Sequence, residues 1–376
     1  MSNLQTTIKS SITLKGVGIH TGKDVSLTFK PAEEDVGYVF SRIDLPNKPE
    51  IRALSEYVCE TQRGTTLEKD GVKLKTTEHV LAALVGLEID NIIIEMDGEE
   101  PPIMDGSSKF FVSALEEVGI VQQSKLRSEF IIKDVIHFRD DETGSEITII
   151  PADNYQVTTM VDYETKVLGT QNATLNNLKE FKSDFANART FSFLHEIEML
   201  LENDLIKGGD LNNAIVYVDK KISNDTMDKL KKAFNRSKVS VKPNGILDNL
   251  NLHYQNEAAR HKLLDVLGDL AEVELPADLQ EQLGDISKQL DSLTSAASSG
   301  DVQDLLEDPK QIEAVKENVQ DFLTEVNSAS SVPDDLKAQV TDLDKNLDSL
   351  DDVSNLASLA GGMDLSALFG ARSLNR

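Results

Sequence analysis

"TTEHVLAALVGLEIDNIIIEM", residues 76–96, places a short apolar helix directly before a buried strand. Residues 76–86 give a short helix signal, and Thr76 or Thr77 is a suitable N-cap. Residues 91–96 form a β-branched run, which is typical of a buried strand. A helix and a buried strand this close together predict a sheet with helices packed on it.

The same alternation appears on both sides of this stretch. A strand-like segment precedes it at 25–31, and from about residue 128 the order of strands, helix, strand and helix repeats. The other predicted elements are helices at 105–119 (closed by Gly119), 188–204 and 251–271, and a buried strand at 213–219. Two successive units of this kind predict an α+β fold with two similar sheet-plus-helices domains from an internal duplication.

The composition changes near residue 272. Residues 272–376 hold 22 acidic but only 7 basic residues and none of the six histidines. Three short stripes of apolar residues at heptad spacing lie between 279 and 350. We therefore predict two domains at 1–125 and 126–271 and an acidic all-helical tail at 272–376. The tail would pack on itself or bind a protein partner, and a solvated, loosely ordered appendage is the alternative.

The bulk composition excludes several classes of protein. A formal net charge of −27 argues against sequence-independent binding to nucleic acid. No uncharged apolar run approaches the ~18 residues of a membrane span, and no basic-then-apolar leader opens the chain. A single cysteine, Cys59, excludes an internal disulfide and suits a reducing compartment. We expect a cytoplasmic protein without a membrane span.

Two fragments of sequence suit a metal. His261 and Asp265 are four residues apart on a predicted helix, so both side chains lie on one face and can bind one ion. Glu78 and His79 are adjacent, which favours one ligand beside a base over two ligands. His137, His195 and His253 are interpreted as structural or exposed, and His20, for which the sequence offers no partner, is interpreted as structural.

Four motifs in a fixed order carry a family resemblance. They are "GVGIHTG" at 16–22, "TTEHVLAALVGLEIDNIIIEMDGEEPPIMDGSS" at 76–108, "ARTFSF" at 188–193 and "RHKLLDVLGDLA" at 260–271. Together they resemble the UDP-3-O-acyl-N-acetylglucosamine deacetylases, zinc amidases that act in lipid A synthesis in Gram-negative bacteria. The resemblance covers residues 1 to about 271 and implies two α+β deacetylase domains, at 1–125 and 126–271, with the active site between them.

The resemblance also implies a set of reaction residues. His79, His261 and Asp265 match the ligands of one Zn²⁺ per chain, and Glu78 matches the general base that deprotonates water. Thr190 matches the hydroxyl that helps to hold the oxyanion of the tetrahedral intermediate. The implied substrate is a UDP-linked acylated glucosamine, whose N-acetyl group is released as acetate.

Four further positions match substrate contacts. Phe191 corresponds to a substrate-contacting aromatic residue, and Lys262 to a cation that faces the UDP phosphates. Leu194 and Ile197, one turn beyond "ARTF", are expected near the passage for the acyl chain, and the equal alternative is that both belong to the helix core.

The resemblance stops after Ala271. The family continues with a strand, a glycine-histidine loop and a final helix, and the loop histidine, supported by the counterpart of Asp269, protonates the leaving amine. Here no histidine lies beyond His261. Loss of such a group generally costs ~10²–10⁴-fold in rate, so we predict reduced activity. The alternative is a non-catalytic or impaired deacetylase remnant that carries an acidic helical interaction module.

Overall fold

A computed structural model describes the protein mainly up to residue 272. The described residues are 4–127, 132, 135–202, 207–220, 222–248, 250–272, 320 and 324. Apart from Glu272 and two isolated positions, the predicted tail and its heptad stripes lie outside the described residues. The described residues fall into one compact unit of 4–127 with 152–272, and a second unit that includes a hairpin within 135–151. In this part of the chain no helix is long and apolar enough to cross a membrane.

The fold is α+β, as predicted, with sixteen strands and six helices in the described part of the chain. The strands β1 to β16 are Leu4–Ile8, Ile12–Val17, Asp24–Pro31, Tyr38–Arg42, Glu50–Arg52, Val58–Glu60, Thr66–Lys69, Val72–Leu74, Ile92–Met96, Ile120–Leu126, Ile136–Arg139, Glu146–Ile149, Val157–Asp162, Thr170–Leu175, Phe191–Phe193 and Ile215–Tyr217. The helices α1 to α6 are Glu78–Gly86, Lys109–Val118, Phe181–Asp184, Leu194–Glu202, Asn224–Ala233 and Glu257–Leu270.

A five-stranded sheet in the order β2-β3-β9-β4-β5 forms the larger part of the first half. Strand β9 pairs antiparallel to β3 and parallel to β4. Val25, Leu27 and Phe29 of β3 are buried while their neighbours are more exposed, which is the period-two pattern of a sheet with one covered face. This face and helix α1 share one hydrophobic core.

Helix α1 is buried over its whole length. It begins after Thr76, whose φ of 55° is left-handed, and it ends before Glu88, whose φ is 56°. Helix α6 packs closely on α1, since a Cβ on Gly268 would lie 2.1 Å from the backbone oxygen of Glu78. This close crossing brings the residues at the start of α1 next to the middle of α6.

The second half of the same unit supports α6 from the other side. Strands β13 and β14 form an antiparallel hairpin that packs on α6, and Thr159 Oγ1 donates to Ala259 O at 3.0 Å. Strands β15 and β16 are parallel, with α4 between them in the chain. Phe191 and Phe193 of β15 line the cleft described below.

The hairpin of β11 and β12 belongs to the second unit. Its register pairs Ile136 with Ile149, and His137 Nδ1 lies 2.8 Å from Thr148 Oγ1. Both Phe138 and Ile147 are more than half exposed. His137 is thus an exposed histidine, as expected.

Several predicted boundaries need correction. The predicted helix at 188–204 is wrong at its start, because 191–193 form β15 and helix α4 begins only at Leu194. The reason is tertiary: Thr190 N donates to Gly106 O at 2.8 Å, and Ile215 N donates to Thr190 O at 2.9 Å, so this backbone is held in an extended segment. The predicted helix at 251–271 begins only at Glu257, and helix α5 was not predicted.

The predicted ends of α1 and α2 agree better with the structure. Gly119, with φ of 80°, closes α2 as predicted. Thr77 occupies the N-cap position of α1, but its hydroxyl does not cap the helix and instead donates to Glu272 at 3.3 Å. The internal duplication and the domain boundaries at 125 and 271 remain predictions.

Candidate metal centre and active-site cleft

His79, His261 and Asp265 meet where α1 crosses α6. His79 Nε2 lies 3.6 Å and His261 Nε2 lies 3.4 Å from the same oxygen, Asp265 Oδ1. One ligand atom from each residue can be chosen so that all three lie within 4.8 Å of one another. Tetrahedral zinc with bonds of about 2.0–2.2 Å separates neighbouring ligand atoms by about 3.4 Å, so the spacing fits that ion.

Asp265 gives the strongest indication of a cation site. Its Oδ2 accepts a hydrogen bond from Lys262 Nζ at 3.0 Å, whereas its buried Oδ1 has no hydrogen-bond partner among the described residues. Burial alone raises the pKa of Asp265, but His261, Lys262 and His79 outweigh burial and hold this pKa below its usual range. A buried, ionised oxygen between two imidazoles is a suitable metal ligand.

The two imidazoles are prepared as ligands in different ways. Burial, with a further contribution from His261, lowers the pKa of His79 to about 3, so this ring is neutral at physiological pH. His261 Nδ1 lies 3.0 Å from Ala188 O. Because a carbonyl oxygen only accepts, Nδ1 carries the proton and Nε2 of the neutral ring has a free lone pair.

A buried ion pair fixes the carbonyl group that orients His261. Arg189 Nε donates to Glu257 Oε1 at 2.8 Å, and the backbone N of Arg189 donates to the same oxygen at 3.2 Å. Glu257 lies one turn before His261 on α6, so both residues contact the segment 188–190. The sequence motifs did not reveal this pair; the i, i+4 spacing of Glu257 and His261 was its only signal.

Glu78 is buried beside the three candidate metal ligands. Its Oε2 accepts from Thr65 N at 3.0 Å, and a Cβ on Gly64 would lie 3.0 Å from its Oε1. Burial, followed by the carboxylate of Asp265, raises the pKa of Glu78 to about 8. A carboxyl group with such a pKa is suited to exchanging protons near neutrality.

Two more carboxyl groups lie at the end of α6. Thr65 Oγ1 donates to Asp269 Oδ1 at 2.7 Å, yet burial raises the pKa of Asp269 to about 6. Glu272 is only 2% exposed, and burial, with Asp269 second, raises its pKa to about 8. Thr65 therefore links Glu78 to Asp269, and the sequence alone contained no motif for it.

These residues line one cleft of about 830 Å³. Its walls come from the loop after β2, the segment before α1, the strand β15, the helix α4 and one face of α6. The predicted site residues that line it are Glu78, His79, Thr190, Phe191, Ile197, His261, Lys262, Asp265 and Asp269.

Leu194 differs from the other predicted contacts. It is fully buried in the cluster with Leu211, Val216 and Leu230, and it is not among the described residues that line the cleft. Ile197, in contrast, belongs to this cluster and also lines the cleft. Leu194 therefore belongs to the helix core, and the place of Ile197 beside an acyl chain remains a prediction.

Phe191 and Lys262 line the cleft and are partly exposed. Phe191 makes edge contacts with Tyr163, Phe193 and Tyr217 at centroid distances of 5.7, 6.2 and 5.9 Å. The side chain of Lys262 is 41% exposed, and Asp265 raises its pKa further above the usual range. The site thus presents an aromatic surface and a permanent cation beside the metal ligands. Tyr163 was not predicted.

The remaining histidines have separate partners. His195 is exposed, lies 2.5 Å from Asp219 through Nδ1 and stacks on Phe193. His253 Nδ1 lies 2.9 Å from Asn187 O. His20 and His195 line the cleft, which the interpretation of His20 as structural and of His195 as structural or exposed did not anticipate.

The chain is similar to proteins of one family. The family model described as UDP-3-O-acyl N-acetylglycosamine deacetylase matches residues 5–239. A bifunctional enzyme LpxC/FabZ of Bacteroides thetaiotaomicron is 45% identical over 272 residues, which are 72% of this chain and 59% of that protein. The chain thus spans about three fifths of the length of such bifunctional relatives.

Shorter relatives match over most of their length. A UDP-3-O-acyl-N-acetylglucosamine deacetylase of Bdellovibrio bacteriovorus is 36% identical over 73% of this chain and 82% of its own. The corresponding protein of Nitratidesulfovibrio vulgaris is 38% identical over 72% of this chain and 80% of its own. The chain belongs to the UDP-3-O-acyl N-acetylglycosamine deacetylase family.

Proposed function

We propose that the chain is a zinc-dependent amidase of lipid A biosynthesis in Gram-negative bacteria. Its reaction would hydrolyse the N-acetyl group of UDP-3-O-(3-hydroxyacyl)-N-acetylglucosamine and release acetate. The observation that carries this proposal is the buried Oδ1 of Asp265, which lies between two imidazoles and accepts no hydrogen bond from the part of the chain that the structure describes. Glu78 is adjacent in sequence to His79. The names of the relatives support the choice of substrate.

His79 and His261, through Nε2, and Asp265, through Oδ1, would hold one Zn²⁺ per chain. When bound, zinc supplies a Lewis acid that polarises a carbonyl group and makes water a nucleophile near pH 7. The Ala188 carbonyl keeps His261 in the tautomer that can bind metal.

Glu78 would take the proton of the attacking water. Its Oε2 already accepts from Thr65 N, so Oε1 receives this proton. A Zn²⁺ ion bound by these three residues would oppose the effect of the neighbouring carboxylates and favour the ionised form of Glu78. Thr65 N and Gly64 keep the carboxylate in place while it acts.

Thr190 and the exposed face of the cleft would bind the reacting substrate. The Thr190 hydroxyl would donate to the oxygen that becomes negative in the tetrahedral intermediate. Lys262 Nζ would face the UDP phosphates, and the ring of Phe191 would lie against the substrate. Both side chains line the cleft, and Lys262 contacts Asp265.

The acyl chain would enter the apolar part of the cleft. Ile197, Leu211, Val216 and Phe234 line it there, and Leu194 supports this wall from behind. Removing an acyl chain from water stabilises the complex by about 0.8 kcal/mol per buried CH₂ group.

The leaving amine would lack its usual proton donor. Asp269 lines the cleft, but it accepts a hydrogen bond from Thr65 and would support the site without replacing the histidine. We therefore propose a working but slow enzyme. The single free cysteine, Cys59, is exposed, which agrees with a reducing cytoplasm as the location.

Acetate release from substrate labelled in the N-acetyl group tests this proposal. The zinc-loaded full chain should release acetate over many turnovers, the metal-stripped chain should not, and zinc should restore the reaction. The His137→Ala variant removes an exposed histidine of the β11–β12 hairpin and serves as the control for loss of a histidine. It should release acetate at the parent rate. Absence of acetate from zinc-loaded protein at high enzyme concentration would overturn the proposal.

A further inference from the structure

Glu100 is a buried carboxylate with no part in the reaction proposed above. It follows β9 in the chain and is 1% exposed. Its described partners are neutral donors: His20 N at 3.0 Å and Thr76 Oγ1 at 3.0 Å reach Oε1, and Thr21 N at 2.8 Å reaches Oε2. Burying a carboxylate is costly unless hydrogen bonds compensate. These three hydrogen bonds therefore fix the position of the Glu100 carboxylate and of the three donor groups.

The donors belong to two different walls of the cleft. Ile19 and His20, in the turn between β2 and β3, form one wall, and this turn is closed by Gly22 N donating to Gly18 O at 2.9 Å. Thr76 lies on the other side, two residues before Glu78, in the left-handed conformation with φ of 55°. Glu100 connects the two walls, because it accepts hydrogen bonds from His20 on one and from Thr76 on the other.

The fit around the turn leaves little space. A Cβ on Gly18 would lie 2.4 Å from Glu100 Oε2, so glycine is needed for the carboxylate to reach the backbone. On the opposite side, Gly208 N donates to Ile19 O at 3.1 Å, and a Cβ on Gly208 would lie 1.9 Å from Gly18 O. The turn is therefore held between Glu100 and the segment that leads to Asp210 and Leu211 of the cleft wall.

We propose that Glu100 is a positioning residue for substrate binding, which holds the Ile19–His20 wall at a fixed separation from Thr76 and the start of α1. This inference rests on the proposed function, because it assumes that a UDP-linked acylated glucosamine lies between these walls. Glu78 has its own support from Thr65 N, so loss of the Glu100 contacts acts on binding more than on proton transfer.

Glu100→Gln, with Glu99→Gln as the matched control, tests the inference. A glutamine side chain at this position cannot accept from all three donors, and hydrogen bonds to a charged group are lost. We expect KM to rise about 10-fold or more while kcat changes less than about 3-fold. The zinc content should stay at the parent level. Glu99 is next in sequence, pairs with Lys23 at 3.6 Å and should give parent values when changed.

A purely structural role gives a different result. It would lower the folded fraction, and thus kcat per total protein, with KM unchanged, and this outcome would overturn the inference. If Glu100→Gln does not fold, Gly18→Ala decides, since the added Cβ separates the turn from Glu100 without removing the carboxylate. Gly18→Ala should also raise KM, and a parent-like KM would again overturn the inference.

Binding of the acylated UDP-N-acetylglucosamine to zinc-loaded protein separates this inference from the proposed function. If the parent neither binds nor hydrolyses this compound, the proposed function fails. If the parent binds it and Glu100→Gln binds it equally well, only the role of Glu100 fails.

Discussion

Asp265 lies between two imidazoles and an ammonium group, and its two carboxylate oxygens face different neighbours. Oδ2 accepts from Lys262, while Oδ1 faces Nε2 of His79 and of His261. The i, i+4 spacing of His261 and Asp265 was readable from sequence because it depends on one helix. The approach of His79 depends on how α1 crosses α6, so no local spacing predicts it, and only the family resemblance grouped His79 with His261 and Asp265.

At this scale, Glu78→Gln tests the general base. Glutamine keeps the size and can still accept from Thr65 N, but it cannot take a proton from water. We expect the rate of acetate release to fall by ~10²–10⁴-fold with the zinc content unchanged. Metal analysis and single-turnover kinetics on the same sample would check this, and a loss of less than ten-fold would assign the base elsewhere.

Glu272 provides a pH prediction for the metal-free protein. Its folded-state pKa is raised to about 8 from the ordinary value of 4.5, so the unfolded chain releases this proton first as the pH rises. Between pH 4.5 and about 8 the folded state binds more protons than the unfolded state. The free energy of unfolding therefore falls by at most ~1.4 kcal/mol for each unit by which the pH rises. Glu272→Gln should therefore be more stable than the parent, with a larger difference at pH 8 than at pH 5.

Chemical denaturation at both pH values measures this difference. Glu33→Gln, at an exposed position, is the matched control and should follow the parent. Equal stability of Glu272→Gln and the parent at pH 8 would mean that the Glu272 carboxyl group is solvated in the folded protein.

Among the elements, the crossing of α1 and α6 decides where the ligands meet. Gly268 permits it, because any side chain there would collide with the backbone oxygen of Glu78. The clash involves rigid helix backbone, so Gly268→Ala should destabilise the protein by about 1–3 kcal/mol. The two helices carry different candidate ligands, so Gly268→Ala should also weaken zinc binding. A competition titration with a chelator would measure the affinity for zinc, and an unchanged affinity would contradict the crossing described above.

A second element-scale prediction concerns the ion pair that links α6 to segment 188–190. Breaking a buried pair leaves an unpaired charge, so Glu257→Gln should cost about 3–5 kcal/mol of stability. Arg189→Met combined with Glu257→Leu should cost less than Glu257→Gln alone. The exposed pair of Lys229 and Asp225 is the control, and its loss should cost less than about 1 kcal/mol. Denaturant unfolding of each variant would measure its free energy of unfolding. A double variant that loses as much of this free energy as Glu257→Gln, or more, would contradict the prediction.

For the whole molecule, the sequence predicted the α+β class and the positions of α1, α2, β9 and β3 well. These elements have strong periodic patterns and are covered by the same core. It failed at 188–193, where backbone hydrogen bonds to Gly106 and Ile215 override local helix preference. Single residues such as Thr65, Glu100 and Glu257 act through contacts distant in sequence, so no local pattern could identify them.

The central claim is that His79, His261 and Asp265 form one zinc site that supports amide hydrolysis. Zinc per chain and acetate released, both measured on the same samples of the parent, His79→Ala and His261→Ala, test it most directly. We predict one zinc and measurable acetate release for the parent, and loss of both in each variant. Acetate release that persists in a variant without zinc, or a zinc-loaded parent that releases none, would contradict the claim.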